Sequence, residues 1–239
     1  MNLANSESET TSKPKLLSQI VNIFVAPSQA LDYARQKPGS WWLPLGILLV
    51  LNAIFSFWWA LTVNLNAFHM EQMRVMTRMN PEHAGQFGHY IMHQGRGSLI
   101  FGVAIGLVVL VIIELIFALY LFLADKLLSA DNKGYGQWFS FTTWTSLPAA
   151  LGFIAGIVAF AVSKHPSVRP TDVTSLNTLF FHFKPWDHLY KITQFSILNF
   201  WVIGLMTYGL KRWRNHSTGK ALAIALAPYV VVYLIMYLV

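Results

Sequence analysis

Residues 16–45 read LLSQIVNIFVAPSQALDYARQKPGSWWLPL. Ile20, Phe24, Ala30, Leu31 and Ala34 recur at helical spacing among Ser18, Gln19, Asn22, Asp32 and Arg35, the pattern of an amphipathic helix. Pro27 has no N–H to offer a helix interior, so it divides the segment into two short pieces. Neither piece is long or apolar enough to cross a bilayer, which predicts that residues 16–40 lie at the cytoplasmic membrane interface. The chain then turns at Pro38-Gly39-Ser40 and meets Trp41 and Trp42, residues that anchor at headgroup level. From there the sequence reads as a bundle dissolved in lipid.

Composition supports this. Of 239 residues, 55% are hydrophobic and 11% charged, with mean hydropathy +0.47, whereas a soluble domain carries about 25% charged residues. The net charge is +7, but the cations flank apolar runs, which fits membrane anchoring and excludes a nucleic-acid footprint. The chain has no cysteine, so disulfides, thiolate metal sites and cysteine nucleophiles are excluded. Residues 1–15 are polar without an apolar core, predicting a disordered tail and no cleavable signal peptide.

Five apolar runs follow, at about 41–63, 99–124, 138–162, 192–210 and 221–239. A helix rising 1.5 Å per residue needs about 20 residues to cross a 30 Å hydrocarbon core. The expected fold is therefore all-α, a transmembrane bundle of five spans behind a short interfacial segment. With a cytoplasmic amino terminus, the inner segments hold Lys13, Lys15, Arg35, Lys37, Lys126, Lys133, Lys211, Arg212, Arg214 and Lys220. The outer ones hold Arg74, Arg78, Arg96, Lys164, Arg169, Lys184 and Lys191. The excess of cations inside predicts that orientation, with the carboxy terminus outside a bacterial inner (plasma) membrane.

Two features bear on helix packing. Gly102-x-x-x-Gly106 and Gly152-x-x-x-Gly156 place small residues one turn apart on the second and third runs, where two backbones can approach closely. Pro148 and Pro228 interrupt the third and fifth, predicting kinks. The two outer connections, 64–98 and 163–191, are long for a compact bundle, which points to local structure or function. Thr171-Asp172 has the chemistry to cap a short helix ending near Phe181.

Glu114 is the one ionisable residue deep within a run. Such a carboxyl is costly in hydrocarbon and marks a functional candidate. Counting from the nearest interface, Glu114 and Asn199 lie about 18 Å deep, Asn52 about 16 Å, Pro148 about 15 Å, and Pro228 with Tyr229 about 12 Å. Each span thus brings a polar or proline position towards a shared level. Two roles fit Glu114. In one it binds a proton, a cation or a lipid headgroup. In the other it is protonated and hydrogen-bonded to Asn52, Asn199 or Thr143, joining helices.

The outer loops hold a second candidate. Seven of eight histidines fall there: His69, His83, His89, His93, His165, His182 and His188. In the first loop Met70, Met73, Met76 and Met79 recur every third residue. Thioethers suit Cu(I) and imidazoles suit copper or zinc, and His89 and His93 are one helical turn apart. The pattern suits a copper or zinc site, and equally a helix that uses methionine to fill gaps. The chain lacks H-E-x-x-H, G-x-S-x-G and P-loop signatures, so no catalytic role is expected.

The order of several short motifs resembles a known family. Pro27 follows an Ile/Phe pair, and Pro38-x-x-Trp41-Trp42-x-Pro44 precedes the first run. Ser146-Leu147-Pro148 lies on the third, and Gly209-Leu, Ser217-x-Gly219-Lys220-Ala221 and Pro228-Tyr229 mark the last hairpin. From Leu16 to the carboxy terminus this is similar to the bacterial form of the Yip (Ypt-interacting protein) family. The resemblance implies a five-helix integral membrane protein with a cytoplasmic amino terminus. Eukaryotic members associate with Rab-type GTPases, but this chain lacks their long acidic amino-terminal region and glycine-tyrosine-proline segment. The expected function is a non-enzymatic scaffold or binding protein for the lipid bilayer, for other membrane proteins or for a second copy of itself. The alternative is metal or ion binding or transport through the His/Met loop and Glu114.

Overall fold

The computed structural model describes residues 16–128, 133–163 and 172–238. The expected disordered tail at 1–15, His165 and the Thr171 half of the proposed cap lie outside them. All regular structure among the described residues is helical, apart from one isolated antiparallel bridge between Ser175 and Ser196.

Two short helices, α1 (Ser18–Val25) and α2 (Pro27–Gln36), form the amino-terminal hairpin. The break falls at Ala26, and Pro27 occupies the first turn of α2, where its missing N–H leaves no helical bond unmade. A 3₁₀ turn at Pro38–Trp41 leads into α3 (Trp42–Thr62). Next come α4 (Leu65–Met79), α5 (Pro81–Met92), α6 (Arg96–Leu128) and α7 (Tyr135–Ser146). A 3₁₀ turn at Leu147–Ala149 joins α7 to α8 (Ala150–Val162). The short α9 (Tyr190–Thr193) precedes α10 (Leu198–Arg214) and α11 (Thr218–Leu238).

Four helical stretches are long and apolar enough to cross a membrane: Pro38–Thr62, Arg96–Leu128, Tyr135–Val162 and Thr218–Tyr237. The 17-residue α10 runs among them and carries much of the core through Val202, Ile203, Leu205, Met206 and Leu210. The apolar run at 192–210 therefore corresponds to a helix shifted to 198–214. Its first residues are held otherwise: Leu176 donates its N–H to the Phe195 carbonyl, and Ile197 donates to that of Thr174. Backbone pairing with the preceding loop competes with helix there and wins.

Pro148 lies at the break between α7 and α8, whereas Pro228 lies within the continuous α11; in both places the freed carbonyl is accounted for. Pro148 cannot serve the Trp144 carbonyl, which instead accepts the Leu147 N–H as the chain tightens into 3₁₀ geometry. Pro228 cannot serve Ile224, and the hydroxyl of Tyr120 on α6 donates to that carbonyl at 3.0 Å. A buried carbonyl without a donor would cost about 1–3 kcal/mol, so Tyr120 makes the proline tolerable.

The two helices of the hairpin are buried to different extents. Ala30, Leu31 and Ala34 of α2 are fully buried against α7 and α10, because bundle residues offer that apolar face a better-packed partner than headgroups do. Leu17, just before α1, and Val21 and Val25 on it remain 61–73% exposed. At the opposite end, α4 and α5 fold the first long connection into a second helical hairpin. Asn64 caps α4 by accepting the Ala67 N–H, and Phe68 packs on Trp59. Arg96 caps the end of α3, its guanidinium donating to the carbonyls of Ala60, Leu61 and Val63 at 2.7–3.0 Å. The cation meets the negative end of the helix dipole.

Candidate functional site

Helices α3, α6, α7, α8, α10 and α11 line one cavity of about 460 Å³. Leu48 comes from α3, Glu114 and Phe117 from α6, Ser146 and Phe153 from α7 and α8. Asn199 and Val202 come from α10, Tyr229 and Val232 from α11. Its walls are mainly aliphatic and aromatic, and its polar groups gather at Glu114, Ser146, Asn199 and Tyr229. Ile113, Ile116 and Val232 at its rim are 47–57% exposed, so the cavity opens sideways between α6 and α11, towards the surrounding lipid.

Glu114 is buried. The Ser146 and Thr142 side chains lie beside its carboxyl, whose Oε2 has no partner, and the Thr142 hydroxyl donates to the Phe139 carbonyl at 3.0 Å. Helix geometry places both there: Thr142 and Ser146 are four residues apart and share a face of α7. Thr143 is turned away and donates its hydroxyl to the Ser140 carbonyl at 3.1 Å. Asn52 accepts the Ser56 hydroxyl at 2.9 Å and belongs to a second cavity. Of the five expected mid-membrane positions, the structure brings Glu114, Asn199 and Tyr229 to one cavity and Asn52 with Asn199 to the other, and Thr143 lines neither. Tyr229 is fixed by edge contacts with Phe117 and Phe195. The sequence reading missed Ser146 and Thr142 as neighbours of Glu114, although Ser146 sits in the motif beside Pro148.

The second cavity, about 420 Å³, lies nearer the α4–α5 end. Asn52, Ser56, Asp172, Thr174, Gln194 and Ser196 line it, and it shares Ala149, Phe153 and Asn199 with the first. Asp172 accepts both the backbone N–H and the hydroxyl of Thr174, at 2.8 and 2.6 Å. Thr174 and Ser196 hydroxyls are 2.7 Å apart, which ties the loop to the start of α10.

The glycine pairs do not meet. Gly102 and Gly106 face open space, because α6 packs on α3 and α7 through a different face. Gly152 lies against Leu198 and Thr174, and Gly156 against the ring of Phe55.

The His/Met connection is arranged by packing. His69 is buried beside Phe68, and Met73 lies against Gly88, joining α4 to α5. Met76 is half-buried; Met70 and Met79 are exposed. His83 contacts Phe87. The rings of His89 and His93 are 4.1 Å apart, with His93 Nδ1 donating to the His89 carbonyl. Among the described residues, no group of three or more His, Cys, Asp or Glu side chains is placed to hold a metal ion.

The amino-terminal end carries a polar cluster that sequence reading treated only as flanking charge. Asp125, at the end of α6, forms a buried ion pair with Arg214 at the end of α10. The same carboxylate oxygen accepts the Trp138 indole N–H at 3.2 Å and the Lys133 backbone N–H at 3.0 Å. Nearby, Arg212 grips Asp32 of α2 through two bonds, and Trp144 donates to Ser40, which also meets Ser140.

Residues 21–239 match the Yip1 domain, and the chain belongs to that family. Neither a curated protein nor a solved structure matches it.

Proposed function

For this Yip1-family membrane protein we propose a non-enzymatic role in binding lipid, with five spans and the α1–α2 hairpin in the cytoplasm of a bacterial inner membrane. The fifth span is α10. At 1.5 Å per residue it rises about 25 Å, and the irregular backbone that completes the crossing lines a cavity, the setting in which membrane proteins tolerate it. Lys126, Lys133, Lys211, Arg212, Arg214 and Lys220 gather at the hairpin end, which favours that end inside. The exposed Leu17 before α1 and Val21 and Val25 on it suit the inner headgroup boundary.

The observation that carries the reading is the cavity at Glu114. Its volume falls in the range of small-molecule sites, and mostly apolar walls with a few convergent polar groups are their usual chemistry. It opens to lipid, so a lipid chain is the occupant at hand. A carboxyl with neighbouring phenol, amide and hydroxyl groups offers hydrogen bonds to that occupant.

Native mass spectrometry of protein extracted gently from its own membrane tests this. The wild type is expected to retain at least one lipid per chain. Val232→Trp sets an indole across the opening and should reduce that occupancy several-fold. Val230→Trp, on the same helix and 59% exposed but away from the cavity, should not. Equal lipid retention in all three proteins would remove the reading.

A further inference from the structure

The two cavities stand back to back on Ala149, Phe153 and Asn199, so one layer of side chains separates an apolar chamber from a polar one. We propose that together they hold one amphiphile, an amine-bearing zwitterionic phospholipid taken from the leaflet on the α4–α5 side. The inference rests on the lipid reading above and adds the head chemistry and the leaflet.

Position supports the leaflet. Ser56 lies six residues before the end of α3, and Gly156 six before the end of α8, or about 9 Å below those ends. That is the depth at which a phospholipid passes from head to chains. The chamber at Glu114 lies deeper, where an acyl chain belongs, and Phe153 stands between the two.

Charge supports the head. The lining of the polar chamber is neutral except for Asp172: amides from Asn52, Gln194 and Asn199, hydroxyls from Ser56, Thr174 and Ser196. Amide N–H groups donate to phosphate and ester oxygens, and the Asp172 carboxylate receives an ammonium. No lysine or arginine lines the chamber among the described residues, so among them Asp172 is the one charged group that a head would meet. Specificity must come from this head contact. Moving an acyl chain from bilayer to an apolar cavity releases no hydrophobic free energy, because lipid tails are already apolar.

The full chain, reconstituted in vesicles of equal phosphatidylethanolamine and phosphatidylglycerol, would be analysed by native mass spectrometry for the lipids it retains. The ethanolamine lipid is expected to be enriched several-fold. Asp172→Asn keeps the side chain's shape, and should return the ratio to that of the vesicle. Lipid bound without head preference, or a preference that survives Asp172→Asn, would overturn this inference and leave the lipid-binding function standing. A wild type that holds no lipid would overturn both.

Discussion

The two ends of the bundle are built on opposite plans. At the hairpin end, helices meet through a buried ion pair, buried hydrogen bonds and ring contacts. Asp125 collects Arg214, Trp138 and the Lys133 amide, and a Cβ on Gly209 would lie 2.8 Å from Phe141 Cζ and 3.2 Å from Leu31. Towards the α4–α5 end the helices splay around two cavities, and Gly102 and Gly106 touch nothing within 4 Å. One end fixes the register of α2, α6, α7 and α10. The other keeps the space in which a ligand can sit. A rigid base with an open upper half is how a bundle positions a site on ordered elements without filling it.

Asp125→Ala is the substitution expected to damage this arrangement most. It strands the Arg214 cation in a buried setting, and breaking one partner of a buried pair typically costs about 3–5 kcal/mol. Asp125→Leu combined with Arg214→Leu should recover much of that loss, since it removes both charges. Thermal unfolding in detergent would read the series. If Asp125→Ala melts like the wild type, the cluster does not fasten the hairpin end. A smaller contrast sets Gly209→Ala against Gly106→Ala. The first forces a methyl into the Phe141 ring and should cost about 1–3 kcal/mol as overpacking. The second adds a methyl to open space and should be neutral or stabilising by up to about 1 kcal/mol through helix propensity. Equal effects at the two glycines would erase the proposed difference between the ends.

These same residues show what a sequence can reveal. Hydropathy and span length mark the helices because lipid imposes a length on each crossing, and Pro27, Pro38 and Pro81 sit in first turns where their chemistry places them. Rotation about a helix axis is harder to read. The glycine spacing at 102 and 106 is that of a packing motif, yet the face it marks is turned away from the bundle. Thr143 and Thr142 differ by one residue, or about 100° around the helix, and that angle decides which side chain lies beside Glu114. Pairs distant in sequence are harder still: Asp125 and Arg214 are 89 residues apart, and nothing local to either marks the other. The start of α10 was misplaced for a related reason, since the Thr174–Ile197 and Leu176–Phe195 pairings belong to tertiary structure.

The smallest expected effect concerns Asp32 and Arg212, which tie α2 to α10 at the surface of the hairpin end. The hydrogen bonds from Arg212 hold the Asp32 carboxyl below the usual carboxylate range. A depressed folded-state pKa stabilises the fold only while the carboxyl is ionised, above its unfolded value of about 3.9. The contribution is therefore complete at neutral pH and lost as pH falls through the folded pKa. Both side chains are more than a third exposed, and solvent screening limits such a pair to about 0.2–1 kcal/mol. Asp32→Asn should thus leave the bundle folded and speed hydrogen exchange of α2 amides modestly at pH 7. The difference from wild type should close as pH drops below about 4. A difference of several kcal/mol, or one that persists in acid, would mean that α2 is held by this pair rather than by burial of Ala30, Leu31 and Ala34. The closed end would then depend on charge at its rim as much as on its core.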